Sequence, residues 1–419
     1  MRQNRPAVVL FASLIGTTIE FFDFYIYATA AVLVFPRLFF PSTDPASAIL
    51  ASLATFAIAF IARPVGSAIF GHFGDRIGRK ATLVAALLTM GISTIMIGLL
   101  PTYSSIGLAA PALLALCRCG QGLGLGGEWG GAVLLAVENA PIEKRSWYGM
   151  FPQLGAPIGF FLSSGVFLLL SSWLTDEQFF VFGWRIPFLA SAILVIVGIY
   201  VRLAIHETPV FKEALERRAP VKMPFFAVLS EHGRALVIGI VSSIATFVLF
   251  YLMTVFALSW GTTALGYSRN TFLIIQLVGI LFFAGGIPLS AILARHGRRM
   301  TMLGTSIGIG VSGLFMAPMM SSGIVGVQAA VYIGLFLMGL TYGPLGTILS
   351  EQFPTSVRYT GSSLAFNLAG ILGASFAPYI ASWLAQNYGL PFVGYYLAGA
   401  AALTALGVLF IHESKDEPL

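Results

Sequence analysis

The sequence predicts an all-α membrane protein with twelve transmembrane helices in two pseudo-symmetric domains of six helices each. Hydrophobic residues make up 57% of the 419-residue chain and charged residues only 10%, and the mean hydropathy is +0.89. A soluble domain of this length carries far more charge. Continuously apolar runs recur along the chain, and most have the 20 or so residues that a helix needs to cross a bilayer. They lack the short alternating pattern of transmembrane strands, which favours helices.

The two halves repeat the same charged residues at matching positions. Glu138, Pro141 and Arg145 recur with identical spacing as Glu351, Pro354 and Arg358. The tripeptide Gly-Arg-Lys at 78–80 is matched by Gly-Arg-Arg at 297–299, and the His-Glu pair at 206–207 is repeated at 412–413. A duplicated membrane bundle of this kind is typical of transporters that rock one half against the other.

The predicted spans, in order, are 8–36, 46–71, 81–101, 105–137, 148–171, 184–205, 234–262, 270–293, 300–320, 323–350, 360–386 and 390–411. The first span is not a cleavable signal, because it lacks a small-residue cleavage site and contains Glu20 and Asp23. We divide the chain into an N-terminal domain at 1–205, a charged linker at 206–233 that suits a short amphipathic helix, and a C-terminal domain at 234–419.

The basic residues predict the orientation. With both termini in the cytoplasm, most of the 23 Lys and Arg residues face inward, and only Arg37, Arg185 and Arg269 face outward. We therefore expect a multi-pass protein of a bacterial inner membrane, with the lipid bilayer as its surroundings. This topology accounts for the net charge of +6 and the pI near 9.4, so no nucleic-acid partner is expected.

Five charged side chains fall well inside the predicted hydrocarbon, all in the first half: Glu20, Asp23, Arg63, Arg118 and Glu128. A charge at the centre of a membrane helix costs several kcal/mol unless it finds a partner or water, so such residues are functional candidates. At comparable depth the second half offers only neutral polar groups, namely Tyr251, Gln276, Tyr342 and Asn367. This asymmetry predicts ionic chemistry in one half and recognition by shape or hydrogen bonds in the other.

Depth suggests how these charges pair. At about 1.5 Å per helical residue, Asp23 lies roughly 22 Å and Arg118 roughly 28 Å from the inner surface. On the same scale Arg63 lies roughly 12 Å and Glu128 roughly 14 Å deep. We therefore predict two couples, Asp23 with Arg118 and Arg63 with Glu128. The alternative is that both pairs only hold helices together.

Two polar stripes are expected to form the wall of an aqueous cavity. Glu20, Asp23 and Tyr27 share one face of the first helix, and Arg118 and Gln121 share one face of the fourth. An anionic substrate that competes for the arginine would free the aspartate to take up a proton, and substrate and proton would then move together. The proton is the only coupling ion or cofactor that we expect.

Other functional classes lack support in the sequence. No catalytic nucleophile, nucleotide loop or metal-ligand cluster is visible, so neither an enzyme nor a metal site is expected. Cys117 and Cys119 are two residues apart in one helix and point to different faces. The glycine-rich segment 120–131 lacks the Lys-Ser/Thr of a phosphate-binding loop and is predicted to let helices pack closely.

Four stretches of the sequence resemble the metabolite:proton symporters of the major facilitator superfamily. They are GTTIEFFDFYIYATAA (16–31), RPVGSAIFGHFGDRIGRK (63–80), RCGQGLGLGGEWGG (118–131) and ENAPIEKR (138–145). The resemblance implies the major facilitator fold, alternating access, and Asp23 with Arg118 as the proton-coupling pair. It also implies a carboxylate or a zwitterionic osmolyte as substrate. Of these we favour a small organic acid, carried by a monomer.

Two other functions remain possible interpretations of the sequence. The string GAPIG (155–159) is partly similar to signatures of proton/drug antiporters, and a membrane sensor on a carrier scaffold is the non-transport alternative. Glu20 joins the coupling pair as a third candidate for proton coupling. The candidate substrate-binding residues are Arg118, Tyr27, Gln121, Arg63, Glu128, Tyr251 and Asn367.

The end of the 63–80 stretch, residues 71–80, resembles the superfamily's hallmark loop and contributes to a predicted cytoplasmic gate. Its second copy has Ala294 where the first has Asp75, so the gate should depend on the first copy and on two acid–base pairs. The gate residues are Asp75, Arg76, Arg79, Lys80, Glu138 with Arg145, and Glu351 with Arg358. The alternative is that the basic residues of the loop only fix the topology.

Overall fold

A computed structural model of the chain shows a bundle of long helices. It describes residues 6–77, 79–138, 140–204, 224–295, 297–354 and 357–412, except the side chains of 6–9, 71–77, 79–83, 135, 138, 142, 202–204 and 224. These residues contain no β-strand. The prediction of an all-α protein is confirmed.

Twelve long helices occur in the described part of the chain, six in each half. The first half contains α1 (Pro6–Leu33), α2 (Pro45–Ile77), α3 (Arg79–Leu99), α4 (Ala109–Gly126 and Trp129–Glu138), α5 (Arg145–Trp173) and α6 (Ile186–Ala204). The second half contains α7 (Gly233–Thr263), α8 (Arg269–Leu293), α9 (Arg298–Ser321), α10 (Ile324–Glu351), α11 (Arg358–Asn387) and α12 (Leu390–Leu409). Short helices at Phe35–Leu38, Tyr103–Ile106, Ile142–Lys144, Asp176–Val181, Gly183–Arg185 and Pro224–Glu231 lie between them.

Ten of the long helices have the length and apolar composition needed to cross a membrane. The other two are α3, which is apolar over Val84–Leu99, and α4, which is interrupted at Gly127 and Glu128. Of the predicted linker, Pro224–Glu231 is helical, and residues 205–223 lie outside the described part. The domain limits stay predictions.

Polar side chains mark where several helices begin. Asp44 precedes α2 and accepts hydrogen bonds from the backbone N–H groups of Ser47 (3.1 Å) and Ala46 (3.3 Å). Together with the Ser47 hydroxyl, these donors lower the pKa of Asp44. Ser268 caps α8 in the same way, accepting from the backbone N–H of Thr271 at 3.1 Å. These caps satisfy N–H groups that the first helical turn leaves without partners.

Glycines allow neighbouring helices to touch backbone to backbone. A Cβ atom at Gly122 would collide with the backbone of Ala59 in α2, and one at Gly126 with the backbone around Arg63. This geometry supports packing as the role of the glycine-rich segment in α4. Gly286 in α8 meets α10 in the same manner, because a Cβ there would lie 2.7 Å from the Phe336 carbonyl oxygen.

Three of the long helices are locally irregular. α4 breaks at Gly127, and α7 and α11 contain π-helical turns at Leu252–Phe256 and Ile371–Ser375. A π turn leaves backbone carbonyls without their usual helical partners. In α7 the Gln276 side-chain amide, from α8, donates to the Thr254 carbonyl. Gln276, which the sequence predicts to lie inside the membrane, therefore stabilises the irregular turn.

The two halves meet at the end of the bundle where α5, α9 and α11 begin, which we call the basic end. The Tyr359 hydroxyl donates to the Gly127 carbonyl at 2.6 Å. Arg298 donates to the Ser146 hydroxyl at 3.1 Å. Because each of these hydrogen bonds joins residues of different halves, the basic end is closed.

The opposite end is closed by a separate set of contacts between the halves. Arg269 forms an ion pair with Asp176 at 2.9 Å, and its guanidinium lies 4.2 Å from the centre of the Phe179 ring. Beside it, the Asn270 amide donates to the Ser172 hydroxyl at 3.4 Å. The two halves therefore contact each other at both ends of the bundle.

We expect Gly286→Ala to lower the melting temperature of the detergent-purified protein by several degrees. The added methyl group overpacks the α8–α10 contact, at a cost of about 1–3 kcal/mol. The matched control is Gly285→Ala, one residue away, where a Cβ meets no atom within 4 Å. Equal melting temperatures for the two variants would contradict the close contact.

Candidate functional site

A small cavity lies between the two halves. Its volume is about 30 Å³, room for about two water molecules and too small for a metabolite. Its lining comes from α1, α2, α4, α7, α10 and α11, and consists of Glu20, Phe21, Phe24, Tyr25, Arg63, Leu125, Phe247, Phe250, Tyr251, Met338, Tyr342 and Phe366. Because both halves line it, separating them would enlarge it.

One acid and one base face this cavity. Glu20 and Arg63 are both buried, and they lie close enough to interact electrostatically. The Arg63 guanidinium also stacks on two rings, 4.3 Å from the centre of Phe60 and 4.7 Å from that of Phe24. Charges of opposite sign offset much of the cost of holding either one in hydrocarbon. The cavity therefore carries no net charge when both groups are ionised.

Arg118 lies outside the cavity and is enclosed by aromatic rings. Its side chain is fully buried, and its guanidinium carbon lies 3.9 Å from the centre of the Tyr27 ring, 4.4 Å from Phe24 and 5.2 Å from Phe56. Contacts of this kind stabilise a desolvated cation. Its Nη1 also donates to the Gln121 side-chain oxygen at 2.9 Å.

A chain of polar side chains leads from Arg118 toward Asp23. The Gln121 amide donates to the Thr94 hydroxyl at 2.8 Å, and that hydroxyl approaches the Asp23 carboxylate. Asp23 Oδ1 in turn accepts a hydrogen bond of 2.6 Å from the Ser191 hydroxyl. These five residues connect α4, α3, α1 and α6 of the first half.

The predicted ion pair between Asp23 and Arg118 is not formed. Successive residues of α1 are rotated by about 100°, so Asp23 and Phe24 face different neighbours. Asp23 turns toward α3 and α6, and Phe24 turns toward the two guanidinium groups. Arg118 reaches the carboxylate only through Gln121 and Thr94.

The second predicted couple is also corrected. The acid that acts on Arg63 is Glu20, across the cavity, and not Glu128. Glu128 is buried where α4 is interrupted, and it does not line the cavity. Equal depth along two helices does not place two side chains on facing surfaces.

The structure separates the predicted substrate-binding residues. Tyr251 lines the cavity with Arg63, whereas Tyr27 and Gln121 lie with Arg118 outside it. Asn367 lies at the interface of the halves, where its amide donates to the Ser67 hydroxyl at 2.9 Å. In this conformation Asn367 therefore joins the halves rather than facing the cavity.

A network of charged residues lies at the basic end. Glu351 forms a buried ion pair with Arg298, and Arg145 is an electrostatic neighbour of Glu351 from the other half. Arg358 donates to the carbonyls of Ser350 at 3.0 Å and Phe353 at 3.1 Å, near the C-terminus of α10. The side chains of the remaining predicted gate residues, Asp75, Arg76, Arg79, Lys80 and Glu138, lie outside the described residues.

Sequence reasoning missed several residues of the site. The duplication held a signal for Arg298, because it matches Arg79 in the repeated loop. Thr94, Ser191 and Phe24 gave no such signal, since hydroxyl and aromatic residues are common in membrane helices. Among the side chains that the structure describes, no three His, Cys, Asp or Glu residues meet to bind a metal ion.

Comparison with known proteins identifies the family. The sequence model of the Major Facilitator Superfamily matches residues 13–375. The chain belongs to the major facilitator superfamily. It is 58% identical to the inner membrane metabolite transport protein YhjE of Escherichia coli, over 99% of this chain and 96% of that protein. It is 37% identical to the shikimate transporter of Escherichia coli, over 99% and 95% of the two chains.

Solved structures of the superfamily share the fold. The partially occluded inward open xylose transporter XylE from E. coli superposes with a TM-score of 0.77 at 17% identity, covering 99% of both chains. At this identity the match shows the fold alone. The predicted family and the major facilitator fold are confirmed, and the chain is a multi-pass membrane transporter.

We expect Tyr359→Phe to open the basic end of this superfamily member more often. The change removes one hydrogen bond between the halves, worth about 1 kcal/mol or a factor of about five in the opening equilibrium. A single cysteine replacing Met338 at the cavity, in a background lacking Cys117 and Cys119, reports opening through its rate of maleimide labelling. Tyr388→Phe is the control, because Tyr388 is exposed and contacts Trp383 and Phe392 of its own half. Unchanged labelling in Tyr359→Phe would contradict a role in closure.

Proposed function

We propose that this protein is a proton-coupled symporter of a small organic anion that works by alternating access. The observation that carries this proposal is that Glu20 and Arg63, both buried and of opposite charge, line one cavity shared by the two halves. The pair offers one site for a carboxylate and one site for a proton. Both sites lie where a rocking motion of the halves would expose them to either side of the membrane in turn.

Charge balance links the two sites. With Glu20 and Arg63 both ionised, the cavity is neutral, and a bound carboxylate adds one negative charge. The substrate carboxylate competes with Glu20 for the Arg63 guanidinium, and the displaced Glu20 then gains by accepting a proton. Protonation restores neutrality, so the loaded cavity can close without burying a net charge. One proton accompanies each negative charge of the substrate.

We propose Asp23 and Arg118 as a second element of proton coupling. The Phe24 ring contacts both Arg63 and Arg118, at 4.7 and 4.4 Å from its centre, so it connects the cavity with the polar chain. A shift of Arg63 toward a substrate would therefore move the ring against Arg118. Such movement reaches Asp23 through the hydrogen bonds of Gln121 and Thr94.

We propose that the basic end faces the cytoplasm and forms the inner gate. In this assignment Arg145, Glu351 and Arg358, with Asp75, Arg76, Arg79, Lys80 and Glu138, stabilise closure on the cytoplasmic side. Their contacts must break before the substrate leaves. The single-chain cavity makes a monomer a complete transport unit, and the mechanism uses no cofactor besides the proton.

A zwitterionic substrate is the second candidate, and the lining of the cavity is what favours it. Glu20 and the faces of the surrounding rings could hold a substituted ammonium group while Arg63 holds a carboxylate. Such a substrate brings no net charge, so its binding needs no proton at Glu20. Proton dependence therefore distinguishes the two candidates.

We expect purified protein in lipid vesicles to accumulate its acid substrate when the outside is made more acidic than the inside. Substrate affinity should rise as the pH falls, because protonation of Glu20 releases Arg63. In Glu20→Gln the affinity should become independent of pH, and accumulation should be lost while exchange of labelled for unlabelled substrate persists. Glu177→Gln, at the exposed opposite end, is the control.

Other outcomes identify the other functions. Uptake that ignores the pH gradient would reject proton symport, whereas outward movement of toxic compounds driven by proton entry would show an antiporter. Tight binding without any flux would show a sensor.

We expect Asp23→Asn to behave differently from Glu20→Gln. Accumulation should again be lost, because the second coupling group no longer titrates, and exchange should remain measurable. Substrate affinity should still depend on pH, since Glu20 and Arg63 are intact. Titration of substrate binding at several pH values checks this, and full accumulation by the variant would exclude Asp23 from coupling.

A further inference from the structure

We infer that the substrate is a monocarboxylate that carries hydroxyl groups, and that Tyr25, Tyr251 and Tyr342 select it. This inference rests on the proposed symport of an organic anion and narrows its substrate class. It follows from the number of cations that face the cavity and from the hydroxyl groups beside them.

The cavity offers one cation. Among the described lining residues Arg63 is the only base, and Arg118, which stacks on Phe24, Tyr27 and Phe56, does not line the cavity. One proton on Glu20 together with Arg63 balances one carboxylate. A second carboxylate on the substrate would have no cation in the cavity and would cost several kcal/mol to bury. Dicarboxylates and tricarboxylates are therefore disfavoured.

Three tyrosines supply the hydrogen-bonding groups. Tyr25 and Tyr251 line the cavity near Glu20 and Arg63, and Tyr342 lines it from α10. The Tyr342 hydroxyl is buried and has no hydrogen-bond partner among the described residues. A buried hydroxyl without a partner destabilises the site until a ligand satisfies it. Phenolic hydroxyls both donate and accept, which matches substrate hydroxyl groups.

A donor close to the Tyr342 hydroxyl is already used by another acceptor. The Trp129 indole N–H lies in its neighbourhood but donates to Gln153 at 3.2 Å. The Gln153 amide, in turn, donates to the backbone carbonyl of Tyr342 at 3.0 Å. These two hydrogen bonds fix the position of the Tyr342 backbone and leave the side-chain hydroxyl for another partner.

Aromatic contacts hold the other two phenols in place. Tyr25 packs against Phe160 at 5.2 Å and Phe250 at 5.3 Å between ring centres, and Tyr251 packs against Phe60 at 5.7 Å. Side chains fixed in this way lose little entropy when a ligand binds. A site with positioned hydroxyls rejects an analogue that lacks the matching groups, because its own polar atoms are then left unsatisfied.

Proton coupling argues against a zwitterion at the same site. When Glu20 is protonated, no acid in the described lining remains to balance an ammonium group. The loaded cavity would then hold an excess positive charge. A substrate that is both proton-coupled and bound by Arg63 therefore fits best as a monoanion.

The test compares matched acids as competitors of uptake into vesicles under an inward proton gradient. The hydroxylated monocarboxylates are shikimate and glycerate, and their counterparts without hydroxyls are cyclohexanecarboxylate and propionate. Oxoglutarate represents dicarboxylates, and proline represents zwitterions. We expect at least one hydroxylated acid to be accumulated and to bind roughly tenfold more tightly than its counterpart, as expected for a lost hydrogen bond in a buried site.

Variants assign the selectivity to the tyrosines. Tyr342→Phe should raise the KM of the preferred hydroxylated acid roughly tenfold and leave inhibition by its counterpart unchanged. Tyr332→Phe is the control on the same helix, because its ring stacks on Phe282 away from the cavity. If Tyr342 had only a structural role, Tyr342→Phe would weaken the binding of both acids equally, and that result would overturn its assignment.

The outcomes separate this inference from the proposed function. Proton-driven uptake of oxoglutarate, or equal affinity for an acid with and without hydroxyls, would overturn the inference and leave proton symport standing. Transport of proline without proton dependence, or no proton-driven uptake of any acid, would overturn both.

Discussion

Glu20 and Arg63 place opposite charges on the wall of one buried cavity, and this electrostatic constraint governs what the cavity can hold. Either charge alone would be costly to hold between the halves, and each lowers the cost of burying the other. Arg118 is stabilised differently, by three aromatic rings and one amide. The two arginines are therefore expected to respond differently to a bound substrate. In the proposed mechanism a carboxylate competes with Glu20 for Arg63, whereas Arg118 does not line the cavity.

The break in α4 shows how the halves can hold together and still separate. Where the helix is interrupted, the carbonyls of Gly126 and Gly127 lack their usual helical partners. Asn367 and Tyr359, both from α11, donate to these carbonyls across the interface. Each of these hydrogen bonds is exchanged for one to water when the halves part, so each adds only about 1 kcal/mol to the cost of opening. The interface is specific without being permanent.

The sequence predicted the helices well, because hydrophobic length is a property of each segment alone. It also found the acid and the base of the cavity, since charges inside hydrocarbon stand out in any apolar run. It predicted the wrong partners, Arg118 for Asp23 and Glu128 for Arg63. Asp23 and Arg118 share a depth, but the rotation of α1 turns Asp23 toward Ser191, a contact 168 residues away in the chain. The enclosure of Arg118 by Phe24 and Phe56 depends on packing between helices, which no local pattern encodes.

Two carboxylates one helical turn apart in α1 have different surroundings, and this difference suggests separate tasks. Glu20 shares a cavity with Arg63, so its charge responds directly to an anion in that cavity. Asp23 accepts a hydrogen bond from Ser191 on α6, so its charge responds to how α1 and α6 fit together. A shared ring, Phe24, lies between the two regions. Binding and conformational change can then depend on protons at different sites and still be coupled, because both arginines stack on the same aromatic side chain.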